Sequence, residues 1–203
     1  MPEQYRKNLP LINMNEKQFA KRVIYQLRAL NPPPLWHNLV PFKFLFEYMK
    51  IRRAIRAFEK DAMVVRRIAL ETAESILKGD KPENAHAAAN DRVKDWLKEN
   101  RLYSVGIHEK QLSVARQFET HFSRLLQSEG NTYAALVRSV YRIPPHYREF
   151  LDNISALEIE TDSMVCAMTA DDANDRRACE ARMENKHRAF SKAREMELQE
   201  VFV

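Results

Sequence analysis

The sequence predicts an all-α protein, a bundle of six to seven helices with one long central helix over about 41–78 and a partly exposed C-terminal helix. Three observations predict it. The 203 residues include only 3 glycines, where an average usage of ~7 % gives roughly a dozen, and strand-and-turn folds and phosphate-cradling loops both depend on glycine. Apolar residues recur at steps of three and four along most of the chain. No segment shows the alternation of a strand, and no internal repeat or low-complexity tract is present.

Taken in order, residues 1–14 read as an irregular N-terminal arm. Asn15 with Gln18 reads as a capping box, and Phe19, Val23, Ile24 and Leu27 follow at helical spacing. This helix stops before Pro32-Pro33-Pro34, because a residue preceding proline avoids the helical region. Pro41 suits the first turn of the next helix, and Gly79 followed by Pro82 suits its end. Between them Phe44, Tyr48, Ile51, Ile55, Phe58, Ala62, Val65, Ala69, Thr72 and Ile76 alternate steps of 4 and 3. That is a heptad-like seam for shallow-angle packing.

Pro82 opens an alanine-rich helix that buries Val93, Trp96 and Leu97. The next covers roughly Ile107 to Ser128, with the stripe Leu112, Ala115, Phe118, Phe122 and Leu125, and ends at Gly130. Thr132 caps a shorter helix to Tyr141, and the "RIPPHY" break follows. A sixth helix uses Phe150, Ile154, Leu157, Thr161, Met164 and Met168. The helical bundle domain therefore spans 15–170. Residues 171–203 form a charged helix, projecting or packed on the bundle. It begins acidic and turns basic, as a helix dipole favours.

The formal net charge is +5 and unevenly placed. Residues 1–80 hold 15 Lys and Arg against 8 Asp and Glu, and the remainder holds 18 against 20. A basic front half points to an acidic partner. The opening "MPEQYRKNLP" lacks the apolar core of a secretory signal. Cys166 and Cys179 form no C-x-x-C motif, so the expectation is a cytoplasmic protein with reduced thiols. The longest mostly apolar run, Leu35 to Met49, falls short of the ~20 residues a spanning helix needs.

Few catalytic chemistries find a foothold. Two E-x-x-H pairs, Glu83/His86 and Glu184/His187, have the i, i+3 spacing of helical carboxylate metal sites. Glu71, Glu74, Glu119 and Glu158 are the glutamates that could complete one. Capping and solvation explain both pairs equally well, so no metal and no cofactor is expected. Met164, Cys166 and Met168 offer soft ligands, but Met164 and Met168 share a helix face that Cys166 leaves, which suits core packing. There is no G-x-S-x-G, no catalytic cysteine context and no glycine-rich phosphate loop. His108-Glu109 and Glu119/His121 suggest acid–base work, but a histidine on a polar helix face is ordinarily just solvated.

The distinctive stretch is an aromatic collar before a basic helix. Trp36, Phe42, Phe44, Phe46 and Tyr48 precede Lys50, Arg53, Arg56, Lys60 and Arg67, which share a narrow arc. Arg52 and Arg66 widen it. The expected partner-binding or anion-binding residues are Trp36, Phe42, Phe46, Lys50, Arg52, Arg53, Arg56, Lys60 and Arg67. Aromatics and arginine dominate protein interfaces, so the expected function is a non-catalytic adaptor or scaffold binding a protein or a second copy through 31–67. Peripheral binding to anionic membrane at the cytoplasmic face is one alternative, and a bundle metalloenzyme is another. Nucleic acid ranks below these, since no nucleic-acid motif matches.

Overall fold

The computed structural model describes residues 2–30, 53–55, 58 and 62–203, and all regular structure among them is helical. Seven helices have both ends there: α1 (Pro2–Leu30), α2 (Val64–Lys78), α3 (Pro82–Glu99), α4 (Val105–Gln127), α5 (Tyr133–Tyr141), α6 (Pro144–Thr169) and α7 (Ala173–Phe202). The expected helical bundle is what forms.

Five of the ends follow their local signals. Gly79 takes a left-handed φ of 109°, and the Asp80 N–H reaches back to the Ser75 carbonyl at 3.2 Å. This is the glycine-closed C-terminus that satisfies orphan carbonyls. Pro82 and Pro144 each open a helix, where a missing N–H costs nothing. The Ser104 and Thr132 hydroxyls accept from Ile107 and Ala135 N–H at 3.2 and 3.1 Å, capping α4 and α5.

Two expectations need correction. Residues 2–14 are not an irregular arm but the first half of α1. Pro10 faces solvent, so the carbonyl one turn back that it leaves unbonded can be served by water. Tyr5, Asn8, Ile12, Asn15 and Phe19 line the buried face. Asn8 donates from one amide nitrogen toward the carbonyls of Leu125, Leu126 and Ser128 at 2.9, 3.2 and 2.7 Å, closing the end of α4.

The central helix is also interrupted. Ala62 and Met63 form a turn, both N–H groups bonding the Phe58 carbonyl at 2.9 and 3.2 Å, and α2 begins only at Val64. Ala62, expected on the seam, is exposed, and Met63 is buried in its place. It joins a small cluster of Phe19, Ala20, Val23, Ala189, Phe190 and Ala193. Residues 41–52, 56–57 and 59–61 of the expected helix lie outside the described residues.

α4 is the axis of the bundle. It packs against α1, α2, α3, α5 and α6, and Phe118, Phe122, Leu125 and Leu126 are almost wholly buried along it. α7 lies against α1, α5 and α6. Its second half is anchored by Phe190, Leu198 and Val201, while its first half is mostly exposed. Cys166 of α6 and Cys179 of α7 are joined as a disulfide, not held as reduced thiols.

Candidate functional site

Seven of the nine expected partner-binding residues, Trp36, Phe42, Phe46, Lys50, Arg52, Arg56 and Lys60, lie outside the described residues. Arg53 and Arg67 are exposed. Arg66, expected to widen the basic surface, is instead withdrawn into the core. Its guanidinium makes two 2.6 Å hydrogen bonds to Glu16 and lies over the rings of Phe19 and Phe118, at 4.5 and 4.4 Å from their centroids. Burial opposes its charge, but Glu16 and Glu197 outweigh burial and raise its pKa above the ordinary value.

The described surface carries basic and apolar character on α1 instead. Met14 and Tyr25 are 54 % and 55 % exposed, and Lys17 and Lys21 are exposed between them. The steps of 3, 4 and 4 keep all four near one face. The one acid in this stretch, Glu16, turns inward to Arg66. A shallow cavity of about 200 Å³ joins Lys17 to Arg67 across Met63 and Leu70. The face is a basic ridge with exposed apolar side chains at its ends.

A second site lies between α4, α5 and α6. A half-open cavity of about 480 Å³ is bordered by His121, Arg124, Tyr141, His146, Glu149 and Phe150, among others. His121 is 2 % exposed. Its Nδ1 is 2.8 Å from the Tyr141 hydroxyl, and its ring stacks on Phe150 at 4.4 Å. Burial, with Arg66 and Arg124 adding to it, holds the imidazole well below its ordinary 6.5. Burial likewise pushes the Tyr141 phenol up. His146 Nδ1 meets the Tyr141 carbonyl at 3.2 Å, and a carbonyl only accepts, so this nitrogen carries the proton. The cavity therefore holds a neutral imidazole and a neutral phenol beneath the cationic Arg124.

The two E-x-x-H pairs do not converge. His86 of α3 pairs with Glu119 of α4 at 3.1 Å, and His187 of α7 pairs with Asp162 of α6 at 2.8 Å. Glu83 is exposed, and Glu184 is taken by Arg188. Among the described residues no group of three or more His, Cys, Asp or Glu is arranged to hold a metal ion. The Cys166–Cys179 bond removes both thiols from the soft-ligand set. Among the described residues no helix is long and apolar enough to cross a membrane.

Sequence reasoning missed three elements. The Arg66–Glu16 pair joins residues 50 positions apart, beyond any local spacing. Sequence reasoning pairs His121 only with Glu119 and misses its burial; its position three residues after Phe118 on the recognised stripe was the available signal. The α1 face stayed hidden while residues 1–14 read as an arm. Comparison of the chain with protein-family models, with curated proteins and with solved structures gives no match to any of them.

Proposed function

We propose that this chain is a non-catalytic helical adaptor that binds an acidic protein partner through the basic and apolar face of its first two helices. The observation that carries the reading is the α1 ridge, where Lys17 and Lys21 stand between the exposed Met14 and Tyr25. Exposed aromatic and Met side chains give contact area, and flanking lysines steer and select an acidic surface. Arg67, across the cavity from Lys17, extends the same charge, and Arg53 is a further exposed arginine. The expected collar residues from 31 onward belong to this reading as its continuation.

A photo-crosslinking side chain at position 14 or 25, in cells that express the protein, tests it. The expected result is a discrete adduct that disappears in the Lys17→Glu/Lys21→Glu variant. A control probe at Ile159, which is 49 % exposed on α6, should give none. Adducts no stronger at 14 and 25 than at 159 overturn the reading. An adduct with a second copy makes the protein a self-assembling scaffold. Flotation with acidic vesicles, lost in the same variant, replaces the protein partner with an anionic membrane surface. The working location is the cytoplasm, where a disulfide is transient and redox-responsive.

A further inference from the structure

The first half of α7 is held to the bundle at very few points. Every residue from Ala173 to Ala178 is exposed, and so are Glu180, Ala181, Arg182 and Glu184. Cys179 alone is buried in this stretch, and Met183 and Asn185 are half-buried. Firm anchoring begins beyond it. Lys186 Nζ donates to both Asp162 oxygens at 2.8 and 2.7 Å, His187 reaches the same carboxylate, and Phe190 enters the core. The Cys166–Cys179 bond, spanning 13 residues, is thus the principal tie of residues 173–185.

Behind this stretch is a cavity of about 320 Å³ between α2, α3, α4, α6 and α7. Met183 and Lys186 form its α7 side, facing walls that include Trp96, Leu97, Val114 and Val165. The Trp96 indole N–H is buried there without a hydrogen-bond partner. Leaving that donor unmet is costly, and polar side chains, Gln111, Glu158 and Asp162 among them, edge the same cavity.

We propose that the Cys166–Cys179 bond is a reversible latch: a dithiol reductant opens it, residues 173–185 leave the bundle, and the cavity behind Met183 is uncovered. Cys179 is the less buried residue of the pair, at 6 % exposure against 1 % for Cys166. A thiolate of the reductant attacks Cys179, forming a mixed disulfide and expelling Cys166 as a thiolate that takes up a proton. The reductant's second thiolate then displaces Cys179, which is protonated in turn. Two electrons pass to the protein, and the reductant leaves as a disulfide.

The freed segment keeps little of its own. Its Asp172 cap and the exposed Arg176–Glu180 pair remain, but so short a helix is marginal in water without tertiary contacts. Hydrogen exchange followed by mass spectrometry tests the latch, comparing oxidised protein with protein fully reduced by dithiothreitol. Peptides covering 173–185 should exchange roughly tenfold faster or more after reduction, while α4 peptides stay protected. The Cys166→Ala/Cys179→Ala variant should show the same pattern without reductant, and its Met183 should be oxidised faster by dilute peroxide. Unchanged protection of 173–185 after complete reduction overturns the proposal. So does acceleration across α4, which would make the bond a staple of the whole fold. Two thiols that stay unpaired in oxidised glutathione would also overturn it.

Discussion

Arg66 of α2 and Glu16 of α1 meet inside the bundle through two parallel 2.6 Å hydrogen bonds, with the guanidinium resting on Phe19 and Phe118. Removing one member strands the other charge. Glu16→Gln should therefore cost ~3–5 kcal/mol, and Arg66→Met a similar amount. The double variant Glu16→Gln/Arg66→Met should recover a substantial part of that loss. Urea denaturation of the four proteins checks this, and additive losses would refute the coupling.

His121 sets an acid limit to stability. Its folded pKa lies below the ordinary 6.5 because burial and two arginines disfavour the imidazolium. Below that pH the unfolded chain binds a proton that the folded chain refuses. Stability should therefore fall as pH drops through 6.5 toward the lowered folded value, by up to about 1.4 kcal/mol per pH unit. His121→Gln should be less stable at neutral pH and should lose this part of the slope. Urea midpoints measured on both sides of 6.5 decide it.

The tyrosine pair sets an alkaline limit. Tyr147 donates to Glu197 at 3.1 Å and lies 3.3 Å from the Tyr133 hydroxyl. Burial, with Glu197 adding to it, raises both phenols well above 10. The folded state keeps protons that the unfolded state releases, so their contribution is intact below pH 10 and declines above it. Absorbance of tyrosinate should show a group of phenols that ionise only as the helices unfold. Tyr147→Phe should shrink that group and destabilise the protein by ~1–3 kcal/mol.

Asn8 is a capping residue borrowed from another helix. Its amide faces three carbonyls at the end of α4. Asn8→Leu keeps the volume and removes the donor, so it should cost ~1–3 kcal/mol. Hydrogen exchange should rise first around 125–130.

Gly79 offers a steric control. A Cβ there would meet nothing within 4 Å, yet φ is +109°. Gly79→Ala should still cost ~1–2 kcal/mol, all of it backbone strain. A neutral result in thermal unfolding would contradict the left-handed cap.

What the sequence revealed and what it hid divide along the range of the forces. Gly79, Pro82 and Thr132 act within a few residues of themselves, and each marks a helix end correctly, whereas Pro144, read as part of a break, in fact opens a helix. Asn8 and Asn15 broke the apparent pattern of α1 because their roles depend on distant groups, and Pro10 broke it because only the folded helix shows that it faces solvent. Asn8 serves α4, and Asn15 donates to Glu197 at 2.9 Å. The turn at Ala62–Met63 left no trace in the seam, since shifting the buried position by one residue exchanges one apolar side chain for another. The cysteine pairing was equally silent: 13 residues of separation fit a bond across a helical hairpin only once the hairpin is known. The α1 ridge needed the inward turn of Glu16 before its charge could be seen.

The bond between Asn15 and Glu197 spans 182 positions, and Arg22 meets Glu200 beside it. On a ribosome adding ~5–20 residues per second, roughly 10–40 s separate the synthesis of the two ends of that contact. Throughout that interval the apolar face of α1, with Ile12, Phe19 and Val23, has no α7 to pack against. The nascent chain can therefore seat α1 at first only on α2, α4 and α5, and the Phe19 and Val23 end of that helix waits for Ala189, Phe190 and Ala193 to complete its cluster.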